Sequence, residues 1–119
     1  MLLQVDTHER DDHALVVATG EIDAATADIA ADAVRRALHA GHPLVVLSLE
    51  HITFIDSTGL GMLVKSHRTA DALASRFAVS HPTPQTSKLI RVLGLDQLLH
   101  VYETTDLALA GQPVAEPRG

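Results

Sequence analysis

The stretch LVVLSLEHITFIDSTGLG, residues 44–61, decides how this chain folds. Leu44 to Leu49 is apolar except for Ser48. Its length and β-branched content predict a strand buried on both faces, the environment of a parallel sheet. A short apolar stub, Phe54-Ile55, ends in Asp56. Beyond it Leu60, Leu63 and Val64 recur at helical spacing, and Ala70 and Ala74 continue that side, which predicts a helix. Ser57 stands where strand gives way to helix. Its hydroxyl can accept a hydrogen bond from a free N–H of the first turn, which is the ordinary work of a cap. Gly59 and Gly61 let the turn pass close to neighbouring backbone. Local pattern alone reads the motif as a helix start.

Working outward, LLQVDT (2–7) and ALVVATG (14–20) flank a charged connector and predict an antiparallel hairpin. In DAATADIAADAVRRALHAG (23–41), Ala27, Ala30, Ala31, Val34 and Leu38 mark one helix face. Asp23 or Thr26 can cap its start, and Gly41 with Pro43 beyond stops it. FAVS (77–80) reads as a short strand. HPTPQTSKLIRVLG (81–94) carries Thr83 as a cap, Pro84 at the first helical position and Gly94 past the end. Leu89, Val92 and Leu93 are its expected inward face. HVYE (100–103) is a last strand and TDLALA (105–110) a terminal helix. GQPVAEPRG (111–119), rich in Gly and Pro, reads as a loose tail. The order β-β-α-β-α-β-α-β-α predicts one α/β domain over residues 1–110. Its sheet should be small and mixed, an initial hairpin followed by parallel right-handed crossovers, with about four helices.

Composition narrows the function. The 119 residues carry a net charge of -6. The adjacent basic pair Arg35-Arg36 sits behind Asp28 and Asp32 on a predicted helix and reads as a solvated face. Duplex binding draws its affinity from displaced counterions and needs a basic stripe, so direct nucleic-acid binding is not expected. Trp is absent and aromatics make up 3% of the chain, which leaves little to stack on bases. Cys is absent, so there is neither a disulfide framework nor thiolate chemistry. MLLQVDTHERDD lacks the basic and apolar regions of a signal peptide. No apolar run approaches the ~20 residues of a membrane helix. These features predict a cytoplasmic protein with no membrane partner.

Enzymatic readings fail on spacing. A nucleophile elbow, G-x-S-x-G, requires glycine where Ile55 stands. His67 lies further along the same predicted helix, roughly 15 Å from Ser57 at ~1.5 Å per residue, too far for proton transfer. A P-loop needs a lysine beside its second glycine, and the nearest here is Lys65. His39 and His42 have neither cysteines nor H-E-x-x-H to support a metal site. The chain is expected to be no enzyme and to hold no metal or cofactor.

GEID (20–23), LVVLSLEHITFIDSTGLGMLV (44–64) and SKLIRVLGLDQLLHVYET (87–104) together resemble the STAS-domain family. More narrowly, they resemble bacterial anti-sigma factor antagonists. The resemblance spans nearly the whole chain, and F-I-D-S-[ST]-G-L-G between strand and helix is its sharpest part. It implies that Ser57 is a phosphorylation site. It also implies two enzymes as partners: an anti-sigma factor that is an ATP-dependent serine kinase, and a PP2C-type phosphatase. The unphosphorylated form would capture the anti-sigma factor and free a sigma factor, acting as a monomer or weak dimer. The implied surroundings of the site are Asp23, Asp56, Thr58, Gly59, Leu60, Gly61 and Met62. Met62 lies off the main apolar stripe and Lys65 one helical turn on, so both are candidates for a docking face, whereas Leu60 also fits the core. The family often carries an acidic or amide residue where this chain has Ser48. A STAS module serving as a scaffold, in a stress-signalling or transporter-associated complex, is the alternative.

Overall fold

In the computed structural model, which describes residues 2–111, five strands and four α-helices follow one another in the order the sequence predicts. The hairpin is β1 (Leu3–Glu9) and β2 (Ala14–Ile22), antiparallel. Helix α1 (Ala27–His39) crosses to β3 (Leu44–Ile55), and α2 (Ser57–Ala72) crosses to β4 (Arg76–Ser80). Helix α3 (Pro84–Val92) and a 3-10 turn (Leu95–Gln97) lead to β5 (His100–Tyr102), and α4 (Thr105–Ala110) follows. The sheet order is β1-β2-β3-β4-β5, parallel from β2 onward. Consecutive parallel strands stepping in one direction with right-handed crossovers put their helices on one face. That face holds the main core. Val45, Leu47 and Leu49 of β3 meet Ala30 and Val34 of α1, Leu63 of α2 and Ile90 of α3. Alternation sends Val46 and Ala78 to the other face, where Ala108 of α4 covers them. The expected tail falls, apart from Gly111, outside the described residues.

Three elements depart from the sequence reading. Strand β3 outruns Leu49 and reaches Ile55. Up to Ser48 it is paired on both sides, but beyond that only β2 accompanies it, with irregular register, as far as Glu21↔Phe54 and Ile22↔Ile55. A strand with one neighbour tolerates Glu50, His51 and Thr53, whose polarity hid the continuation. Helix α2 stops at Ala72, because Ala74 takes a left-handed conformation (φ 57°) and Ser75 N–H closes on the Ala70 carbonyl at 2.8 Å. Ala74 therefore faces solvent rather than continuing the buried side. Helix α3 is capped by Thr83, whose hydroxyl accepts from Thr86 N–H at 3.0 Å, as its punctuation predicted. Its buried side is nevertheless Thr86 and Ile90, while Leu89, Val92 and Leu93 are exposed. Periodicity located an apolar stripe, but which stripe faces the sheet is a tertiary decision.

The start of α2 has two built-in constraints. Asp56 is its N-cap, in extended backbone, and its carboxylate accepts from Gly59 N–H at 3.1 Å. A Cβ on Gly59 would stand inside Ile55 Cγ1 and within 2.9 Å of Ile22 Cγ2 and Ile55 Cδ1. At Gly61 the same addition meets open space. Elsewhere, His67 of α2 and His100 of β5 pack with ring centroids 5.6 Å apart. Burial holds the His100 imidazole below its ordinary value of 6.5, and the nearby charges of Arg76 and His67 lower it further against the opposing pull of Asp71. Asp71 stands 3.3 Å from His67 Nε2.

Two sets of stability measurements follow. In urea unfolding, Gly59→Ala should cost about 1–3 kcal/mol through overpacking. Gly61→Ala should gain roughly 0.5–1 kcal/mol from helix propensity. Asp56→Ala should lose about 1 kcal/mol with the cap. The His100 shift also sets a sign. Its folded value is depressed, so the unfolded chain takes up the proton first as pH falls, and stability is lost below the ordinary value. The urea midpoint should therefore drop between about pH 7 and about pH 5, and drop less in His100→Gln. Equal pH slopes in the two proteins would remove His100 as the cause.

Candidate functional site

The site forms where β2 and β3 end together at the head of α2. Ile22 pairs with Ile55, and the backbone N–H of Asp56 donates to the Ile22 carbonyl at 3.2 Å. This bond ties the Asp56-Ser57 turn to the segment carrying Asp23. Asp23 then organises the entry to α1. Its Oδ1 accepts from Ala25 N–H at 2.9 Å and from Thr26 N–H at 3.2 Å, and lies 3.2 Å from the Thr26 hydroxyl oxygen. Thr26 is the N-cap residue of α1 by position, but its hydroxyl donates to the Glu21 carbonyl at 2.8 Å instead of capping. Thr26 Oγ1 in turn accepts from Asp23 N–H at 3.0 Å. Both carboxylates thus hold backbone turns through Oδ1. Oδ2 of each has no hydrogen-bond partner among the described residues.

Ser57 is the first residue of α2 rather than its cap. The capping role that local pattern offered its hydroxyl belongs to Asp56. Ser57 is exposed, and its hydroxyl makes no hydrogen bond with any described residue. An aspartate cap accepts from the third residue along and leaves the first residue's side chain free. The serine therefore stands in solvent at the positive end of a sixteen-residue helix.

The remaining motif residues divide by burial. Gly59 packs against Ile22 and Ile55, and Leu60 lies in the core at 3% exposure. Met62, expected off the apolar stripe, is 5% exposed and also belongs to the core. Helix α1 packs beside α2 and widens the buried arc beyond the stripe read from α2 alone. One edge of Met62 still reaches a groove of about 300 Å³ between the two helices, lined also by Asp28, Thr58, Gly61 and Lys65. Thr58, Gly61 and Lys65 are exposed. Ser48, at the position that is often acidic or amide, shares the α4 side of the sheet with Val46 and accepts from Glu50 N–H at 3.3 Å. It faces away from the core that α2 covers.

Sequence reasoning overlooked one residue beside the site. Phe54, read as part of an apolar stub, is 46% exposed and lines a groove with Leu89 and Val92. Nothing in the local sequence marks it, because its exposure follows from β4 ending short of it. Among the described residues no group of three acidic or histidine side chains gathers as a metal site would. No helix among them is long and apolar enough to cross a membrane.

Comparison with known proteins places this geometry. The family model for the STAS domain matches residues 4–108. The chain is 26% identical over 110 residues to the anti-sigma F factor antagonist of Paenibacillus polymyxa, covering 92% of this chain and 94% of that protein. It is 25% identical over 107 residues to the anti-sigma-B factor antagonist of Staphylococcus aureus, covering 90% and 99%. The crystal structure of an anti-sigma factor antagonist from Mycobacterium paratuberculosis aligns with a TM-score of 0.82 at 28% identity, covering 92% of each chain. The strand order, the helix that starts on Asp56-Ser57 and the match along nearly the full length agree: the chain belongs to the STAS domain family.

Proposed function

We propose that this protein is an anti-sigma factor antagonist switched by phosphorylation of Ser57. The observation that carries the reading is the Ser57 hydroxyl, exposed and unbonded among the described residues at the first position of α2. The curated relatives named anti-sigma factor antagonists support the class. The partner would be an anti-sigma factor that is also an ATP-dependent serine kinase, with a PP2C-type phosphatase to reset the site. Residues 1–110 would act as one STAS domain, without enzymatic activity of their own.

Folding and binding respond differently to a phosphate at Ser57. A helix N-terminus offers free N–H groups and a partial positive charge, so it accepts a phosphate without losing structure. The phosphate adds about -1.5 to -2 charge at neutral pH. Asp56 is the preceding residue, and Asp23 follows the strand end bonded to it. In solvent the repulsion among these groups is screened. A partner closing over the site removes that screening, and a unit pair ~4 Å apart then costs about 4 kcal/mol at an effective dielectric of 20. Modification thus leaves the free protein folded and opposes the complex. Thr58, Gly61 and the groove edge of Met62 supply the contact surface beside Ser57, while Gly59 and Leu60 hold that surface on the core.

Incubation with ATP and the anti-sigma kinases of the same genome should add one phosphate, seen by intact mass, to wild type and none to Ser57→Ala. Equal modification of both proteins would remove Ser57 from the role. Ser57→Asp should bind the kinase at least roughly tenfold more weakly while keeping the wild-type circular dichroism spectrum.

A further inference from the structure

The outer side of α3 carries an apolar surface that neither the fold nor Ser57 uses. Leu89, Val92 and Leu93 are 40%, 70% and 58% exposed. Single exposed apolar side chains are ordinary, but a contiguous set beside a groove marks an interaction surface. Here the groove exists. Leu89 and Val92, one helical turn apart, face Phe54 and Ile55 at the end of β3 across an opening of about 500 Å³. Phe54 is available because β4 pairs with β3 no further than Ser48.

Charge says what would lie there. Lys88 lines the groove, and Arg91 follows three residues later on the same helix. Residues 81–95 contain no Asp or Glu, although the chain as a whole carries -6. Both cations are exposed, and neither has an ion pair among the described residues. Exposed Lys65 and Arg68 also stand on α2, but Lys65 shares its groove with Asp28, and around the hairpin Asp6, Glu9, Asp11 and Asp12 are exposed. An acidic partner is repelled by the molecule as a whole and attracted at this rim, which fixes where and how it lands. The paired apolar positions on α3 opposite Phe54 fit the apolar face of an amphipathic helix laid in the groove.

We infer that the groove between α3 and the end of β3 is a docking site for an acidic amphipathic helix of a partner protein. Its apolar side chains would lie against Phe54, Leu89 and Val92, and its carboxylates would meet Lys88 and Arg91. This groove shares no lining residue with the α1–α2 groove beside Ser57, and the inference does not rest on the proposed role of Ser57.

The test uses the full chain and a synthetic helical peptide with leucine on one face and glutamate on the other. A counterpart peptide carries lysine in place of glutamate. Backbone amide shifts should move at Phe54, Lys88, Leu89 and Val92 on addition of the glutamate peptide, equally in wild type and Ser57→Ala. Val92→Glu, at a largely exposed position, should keep the fold by circular dichroism and lose the binding. Lys88→Glu with Arg91→Glu should weaken it up to roughly tenfold, the worth of two exposed ion pairs together. The inference is overturned by equal binding of the two peptides, by shifts confined to other surfaces, or by no shifts at millimolar peptide. It is also overturned if the chain self-associates and Val92→Glu abolishes that, since the occupant is then a second copy.

Discussion

The parallel pairing of β2 with β3 continues past the point where β4 drops away, and the functional end of the molecule depends on that continuation. Five residues of β4 support β3 only to Ser48. From there to Ile55 a single neighbour holds it, through two register irregularities. The pairing ends with the Asp56 N–H on the Ile22 carbonyl. That bond ties the head of α2, where Ser57 stands, to the end of β2, from which the Asp23 turn follows. The missing neighbour on the other side leaves Phe54 uncovered.

Within that frame each side chain at the head of α2 has a distinct task. Asp56 caps, so Ser57 need not. Gly59 lets the helix approach Ile22 and Ile55 more closely than any side chain would allow. Leu60 and Met62 anchor the first turns in the core. The Ser57 hydroxyl is left exposed and without an internal hydrogen bond among the described residues, as the proposed phosphorylation would need. A helix N-terminus around it would tolerate the charge that phosphorylation would bring. Under the proposed function, stability and switching would draw on the same few residues without competing, because the cap, Asp56, and the proposed site, Ser57, are adjacent rather than identical.

Much of this was legible in the chain alone. The apolar run from Leu44 to Leu49, the cap and proline at Thr83-Pro84, and the alternation of elements reflect local geometry, and all three are found in the fold. The resemblance to STAS-domain proteins also implied that Asp23, Asp56 and Ser57 share one neighbourhood, and the Asp56 N–H bond to the Ile22 carbonyl joins their segments. Three features were not legible. The reach of β3 beyond Leu49 depends on a partner strand. The burial of Met62 depends on α1 lying alongside α2. The outward direction of Leu89, Val92 and Leu93 depends on how α3 sits on the sheet.

By itself the sequence determined which segments are strands and helices, that α3 begins at Thr83-Pro84, and that a hydroxyl follows an aspartate at the start of α2. These are consequences of side-chain periodicity and of hydrogen bonds spanning three or four residues, which act within a short window. Only the tertiary structure decided that β3 runs past Leu49, that Met62 faces inward, and that α3 turns an apolar side to solvent. Each of those outcomes is set by a contact between segments far apart in the chain, and periodicity carries no information about which of two faces a distant neighbour will cover.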